Sequence, residues 1–180
     1  MNNQSFNASL DINDIISEFK DSCSKSSNED EVKSACNIFF HDLKHLLKIN
    51  IKSNNEKTSI YGGRADSIYN HLYFELKKYN LFDKSKGIDQ AVYGRNNKDH
   101  GIFHYLVNYS LEDCHNSPEL FKVLLLSKVG ICFDGKSFIF CRFKENPNNE
   151  TELYDNYKTK NYPDAIPHKL NVVVHDTTNA

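Results

Sequence analysis

The sequence predicts an α/β domain with a central mixed sheet flanked by helices, and three observations carry that expectation. Apolar residues recur at helical spacing early in the chain, a period of two appears in 72–79, and two apolar β-rich runs joined by Asp134-Gly135 follow later. Helical periodicity returns between the two strand regions. At 180 residues, with 39% hydrophobic, 26% charged and 12% aromatic residues, the chain is long enough to bury one sizeable core, so one domain with polar ends is expected.

Positions 1–10 are polar, after which Ile12, Ile15, Ile16 and Phe19 recur at helical spacing behind Asp11, a residue suited to an N-cap. A short amphipathic helix is expected there, followed by a Ser-rich linker over 22–28. Ser27 followed by Asp30 resembles a capping box opening a second helix. Its apolar stripe is Val32, Cys36, Phe39, Leu43 and Leu46 or Leu47, and its opposite face carries Lys33, Asp42 and Lys44. Residues 53–57 read as a polar turn. Residues 58–69 are rich in β-formers and Gly, and 72–79 alternate, so a β-hairpin turning through Tyr69, Asn70 and His71 follows.

The pattern returns to helix over 85–93 and again, after the polar stretch 95–100, around Ile102, Tyr105, Leu106 and Tyr109. Pro118 suits the first turn of a helix carrying Leu120, Val123 and Leu124. Residues 129–133 and 137–143 are apolar strands joined through Asp134-Gly135, the strongest short hairpin signal in the chain. Beyond Lys144 the chain is rich in Asn, Pro, Tyr and charge, and only 170–174 reads as a strand. No repeat of 20 to 50 residues is evident, which argues against solenoids and propellers.

A formal charge of -2 and a pI near 6.4 argue against a uniformly basic nucleic-acid coat, so any such contact must be a local patch. One basic stretch stands out: Lys77, Lys78, Lys84, Lys86, Arg95 and Lys98 against Asp83 and Asp89, suited either to phosphate contacts or to a solvated face. The five cysteines form an odd set without CxxC spacing, and Cys36, Cys132 and Cys141 sit in apolar runs, which points to packing in a reducing compartment. The residues after Met1 lack a secretory pattern, and no apolar run approaches the roughly 18 residues of a membrane span. A cytoplasmic protein with no membrane partner is expected. His41/His45 and His100/His104 have i, i+4 spacing without the Glu of HExxH or an evident third ligand, and neither GxxxxGK[ST] nor GxGxxG occurs.

The chemistry concentrates in 63–77. On a strand Glu75 and Lys77 project together while Leu72, Phe74 and Leu76 project the other way, so the apolar face packs and the charged face works. A short hairpin can bring the Asp66 carboxylate towards Glu75. Two such carboxylates suit Mg²⁺, a hard ion held by one or two carboxylates plus water and phosphate oxygens, and the ion offsets their mutual repulsion. Lys77 could orient the attacking water, help deprotonate it, or neutralise charge at phosphorus, and the sequence leaves all three open.

Asp66, eight intervening residues and Glu75-Leu76-Lys77 resemble the active-site signature of the PD-(D/E)xK nuclease superfamily, with Ala65 where the family's name places proline. The resemblance covers about residues 30–143. More specifically, Gly63-Arg64-Ala65-Asp66-Ser67-Ile68-Tyr69 with Leu72-Tyr73-Phe74-Glu75 is similar to the N-terminal endonuclease domain of fused restriction endonuclease/adenine-N6 DNA methyltransferase proteins. Gln90-Ala91-Val92-Tyr93 matches that family's glutamine- and tyrosine-bearing helix, and 129–135 matches its Gly-containing strand entering an Asp-Gly turn. Tyr79-Asn80-Leu81-Phe82 departs from it, standing where the family has proline and glycine.

The resemblance implies a restriction-endonuclease-like nuclease domain over 29–145, behind a polar segment with a short helix (1–28) and before a polar extension or linker (146–180). Asp66 and Glu75 would bind Mg²⁺, with Mn²⁺ as a substitute, the Leu76 carbonyl would add a ligand, and Lys77 would serve the water. Gln90 would support Lys77 or a phosphate, and Arg64, Lys78, Lys84, Lys86, Arg95 and Lys98 would contact nucleic acid. Glu31 and Asp42 are candidates for a further acidic residue on the early helix. The implied activity is endonucleolytic cleavage of DNA leaving 5′-phosphate ends, in a bacterial restriction-modification or related antiviral defence system. A methyltransferase or helicase would lie on the same parent chain or act as a subunit, and a homodimer is compatible. Two alternatives remain: a catalytically silent nuclease-like domain that binds DNA or protein, and an RNA nuclease.

Overall fold

The computed structural model describes residues 11–50, 54–55, 64–96, 99–143, 154 and 172–177. The expected strand over 58–63, most of the polar turn at 53–57, Lys98, the first ten residues and most of the tail lie outside them.

Helices begin where the sequence supplies caps. The Asp11 carboxylate accepts a hydrogen bond from the Asn13 amide and opens α1, Ile12–Lys25. Residues 22–25, expected as linker, continue this helix. Cys23 is fully buried, Asp21 and Lys25 pair across one turn at 2.6 Å, and the Ser24 hydroxyl donates to the Asp21 carbonyl. Burial of the helix face outweighs the modest helix preference of serine.

The second helix, α2, Glu29–Leu47, is capped one residue later than the expected box. Asn28 accepts from the Glu31 amide at 2.9 Å, and the Glu31 carboxylate reaches back to the Ser27 amide at 2.6 Å. Asn28 with Glu31, rather than Ser27 with Asp30, therefore satisfies the first-turn amides. Val32, Ala35 and Cys36 are buried, whereas Leu47, at the end of the expected stripe, is exposed.

After α2 come β1 (Asn54–Asn55), β2 (Ser67–Tyr69) and β3 (Leu72–Leu76), then α3 (Gly87–Tyr93). The stretch 95–100, expected to be a polar connection, contributes to a small antiparallel ribbon of β4 (Gly94–Asn96) and β5 (Asp99–His100). The chain continues through α4 (Ile102–Asp113), α5 (Pro118–Ser127), β6 (Val129–Phe133), β7 (Phe138–Phe143) and β8 (Val172–Thr177). Pro118 opens α5 behind a Ser117 cap, as its missing N–H predicts. Asn70 takes the left-handed conformation (φ 56°) in the turn between β2 and β3.

Six strands form one mixed sheet in the order β1-β2-β3-β6-β7-β8, so the molecule is an α/β fold with a central sheet flanked by helices. Neighbours are antiparallel except β3 and β6, which run parallel and are joined through α3, α4 and α5. β8 lies beside β7, so the C-terminal extension contributes to the sheet.

Each face of the sheet carries its own core. On one, Tyr73, Ile68 and Cys132 pack with Phe103, Leu106 and Tyr109 of α4 and Phe121 of α5. On the other, Phe74, Leu76, Ile131 and Phe133 pack with Cys23 of α1 and Val32 and Cys36 of α2. Every residue of α4 from Ile102 to Leu111 is buried, as expected of a helix apolar on nearly all sides. Gly130 lets α4 approach β6 closely, since a Cβ there would lie 2.6 Å from Ile102. All five cysteines are buried free thiols. Among the described residues no helix is long and apolar enough to cross a membrane.

Candidate functional site

The β2–β3 hairpin builds the charged cluster. Its register pairs Ile68 with Tyr73 and Ser67 with Phe74, and Asp66 stands immediately before β2, near enough to Glu75 for its charge to disfavour the Glu75 carboxylate. The Asp66 amide donates to the Phe74 carbonyl at 3.1 Å, and Asp66 Oδ2 accepts from the Leu76 amide at 2.7 Å. In a strand the N–H and C=O of one residue point to the same neighbour, so the Leu76 carbonyl leans towards the Asp66 edge. Lys77 follows directly, held by its amide's hydrogen bond to the Phe133 carbonyl at 2.8 Å. The cluster thus sits at the carboxyl end of the parallel pair β3 and β6, the end where open α/β sheets collect ligands.

The expected division into a packed apolar face and an open charged face does not hold. Glu75 is 3% and Lys77 6% exposed, because helices cover both faces of the sheet. The Lys77 ammonium lies 2.5 Å from Glu75 Oε1. Burial raises the Glu75 carboxyl above the usual carboxylate range; Lys77 opposes that shift, and Asp66 and Glu29 add to it. Burial of Lys77 favours its neutral amine, but Glu75, Glu29 and Asp66 outweigh it and hold the lysine protonated.

Two residues that the sequence did not single out complete the cluster. Glu29 Oε2 lies 3.6 Å from the Lys77 ammonium, and the Lys33 ammonium lies 3.4 Å from Asp66 Oδ1. Lys33, expected on the solvent face of its helix, instead reaches the sheet because it flanks the buried Val32 and its long stem extends past the apolar contact. The two acidic candidates on this helix are engaged elsewhere: Glu31 in the cap, Asp42 beside the His41 ring at 3.0 Å. The i, i+4 spacing of Glu29 and Lys33 was the available signal, since it places both on one face.

The remaining candidates surround this cluster without joining it. Gln90 is half-buried on α3, and among the described residues its side chain makes no hydrogen bond to Asp66, Glu75 or Lys77. Arg64, Lys78, Lys84 and Lys86 are exposed. Arg95 lies on β4, and Lys98 is outside the described residues. A cavity of about 570 Å³ opens elsewhere, among Phe19 and Phe39 of the helical layer and Phe133 and Phe138 of the sheet; its lining includes none of Asp66, Glu75 or Lys77.

Among the described residues no group of three or more His, Cys, Asp or Glu side chains is arranged to hold a metal. The candidate oxygen donors here are the carboxylates of Asp66 and Glu75, which repel each other, and the carbonyl of Leu76, whose amide donates to Asp66. Such a set fits a hard divalent cation only if water or substrate oxygens complete the shell, as is common for Mg²⁺. Raised by burial, the Glu75 carboxyl needs a cation beside its charged form. Compared with protein families, curated proteins and solved structures, the chain matches none.

Proposed function

We propose that this protein is a metal-dependent nuclease that hydrolyses DNA phosphodiester bonds, with Asp66, Glu75 and Lys77 as its catalytic residues. The observation that carries the reading is the Asp66 carboxylate close enough to Glu75 to disfavour its charge, beside a buried, charged Lys77 paired with Glu75. A structural ion pair would need Glu75 and Lys77 alone. A second carboxylate near a buried first one is costly unless cations compensate it.

In this reading Asp66, Glu75 and the Leu76 carbonyl would hold Mg²⁺ or Mn²⁺, which would supply Lewis-acid polarisation of the phosphodiester and acidify water at the site. The carboxylates flanking Lys77 keep it protonated. Of the three roles open to it, a charged lysine suits orienting the water and neutralising charge at phosphorus better than taking a proton. Glu29 sets the direction of the Lys77 ammonium from α2. Gln90 supports a phosphate from α3, while Arg64, Lys78, Lys84, Lys86, Arg95 and Lys98 supply salt-sensitive phosphate contacts. Cleavage leaving 5′-phosphate ends, a role in bacterial defence, and a methyltransferase or helicase partner complete the proposal by resemblance.

One observation favours a second reading. Each carboxylate already has a lysine beside it, Lys77 at Glu75 and Lys33 at Asp66, so the cluster is largely neutralised without a metal. A silent domain that only binds DNA or protein would look the same. Incubating matched DNA and RNA duplexes with the protein and Mg²⁺ at identical salt separates the readings. The proposal predicts Mg²⁺-dependent cleavage of DNA; RNA cleavage alone would move the assignment to an RNA nuclease, and salt-sensitive binding without cleavage to a silent domain.

A further inference from the structure

α2 offers two opposite charges to the cluster from one face. Glu29 and Lys33, one turn apart, meet the opposite charges of Lys77 and Asp66. The two lysines hold their carboxylates differently. Lys77 sits 2.5 Å from Glu75 with both side chains buried, whereas Lys33 sits 3.4 Å from Asp66 with both side chains 18% exposed. The Asp66 oxygens are likewise unequal: Oδ2 is fixed by the Leu76 amide, and Oδ1 faces Lys33. A cation entering from solvent therefore meets the longer, more hydrated ion pair, and the oxygen it needs is the one that Lys33 holds.

We propose that Lys33 is a positioning residue, the resident counter-ion of Asp66, which gives way to a divalent cation and then directs its ammonium to a substrate phosphate. The inference rests on the nuclease reading. No proton moves: one cation replaces another on Asp66 Oδ1, and the displaced ammonium stays charged. Its long, flexible stem permits that swing, and its new partner is the anion that the metal-loaded site attracts. Lys33 thereby couples metal loading to nucleic-acid binding, because its phosphate contact becomes available only once Asp66 has another cation.

The test uses the full chain and two readouts other than cleavage. Mn²⁺ affinity is measured by calorimetry for wild type, Lys33→Met, Lys33→Arg and Asp66→Asn, with melting temperatures recorded without metal. Affinity for a DNA duplex is then measured by fluorescence anisotropy in Ca²⁺ and in EDTA. Lys33→Met should bind Mn²⁺ about three- to tenfold tighter, since a competing partly exposed ion pair is gone, and Lys33→Arg should remain near wild type. Lys33→Met should also lose several-fold in DNA affinity, roughly one phosphate contact, in Ca²⁺ but not in EDTA. Unchanged or weaker Mn²⁺ binding by Lys33→Met, with binding still dependent on Asp66, overturns the inference alone, as does an equal loss of DNA affinity in both conditions. Absence of Asp66-dependent Mn²⁺ binding in every variant overturns the nuclease reading with it.

Discussion

At the scale of single residues, burial decides how charge behaves in this molecule. Glu75 and Lys77 lie almost out of solvent, so each depends on the other, and removing one leaves a buried charge uncompensated. His104 shows the same physics away from the site. Burial first, and the neighbouring His100 second, lower its pKa to about 3, against 6.5 for an unperturbed imidazole. A depressed histidine contributes stability that is present above pH 6.5 and is lost as pH falls towards 3. Between pH 7 and pH 5 that loss amounts to about 2 kcal/mol. The change in unfolding free energy between pH 7 and pH 5, from urea titrations, should be less favourable in wild type than in His104→Gln by about that amount, because Glu75 and the other groups act alike in both proteins; the same change in both would show that burial of this ring does not contribute to the acid response. Lys33 illustrates what single-residue reading misses. Its position on the helical wheel assigned it to solvent, but side-chain length, which a wheel does not represent, carries it to Asp66.

Elements place these residues, and their turns were the most legible part of the sequence. The Asp134-Gly135 signal marks the β6–β7 hairpin, although the connection spans residues 134–137 and does more than reverse the chain. Asp134 is fully buried; its carboxylate accepts from the amides of Phe82, Lys136 and Ser137, and its carbonyl accepts from Asn80. It thereby ties the loop after Lys77 to the hairpin, and Gly135, at φ 82°, packs so close to Tyr79 that a Cβ would lie 2.8 Å from the ring. Replacing Asp134 with Ala leaves three amides without their acceptor and should cost about 3 kcal/mol or more in denaturant unfolding. It should also loosen Lys77, so residual activity should fall beyond the loss of folded protein. A cost below about 1 kcal/mol would mean that water replaces the carboxylate readily. The helix boundaries were less legible. Ser-rich 22–25 reads as a linker by composition, but Cys23 is an anchor, and composition carries no record of what a side chain packs against.

For the whole molecule, the α/β class followed from periodicity, because helix and strand repeats differ and each was long enough to see. Strand order did not follow, since nothing local in 72–76 or 129–133 states that these segments pair in parallel across three intervening helices. The candidate cluster was legible in part. Asp66 and Glu75 were placed together by the short hairpin, whereas Glu29 and Lys33 depend on how α2 lies against the sheet, a long-range property. Burial on both faces also escaped the alternation argument, which sees one strand at a time. The central claim is that these carboxylates and Lys77 act as one hydrolytic unit, and cleavage of supercoiled plasmid with Mg²⁺ by wild type, Asp66→Ala and Lys77→Ala tests it most directly. With folding checked by circular dichroism, the wild type should nick or linearise the plasmid, and each variant should fall by about two orders of magnitude or more. Equal cleavage by all three proteins, or none by the wild type, would contradict it.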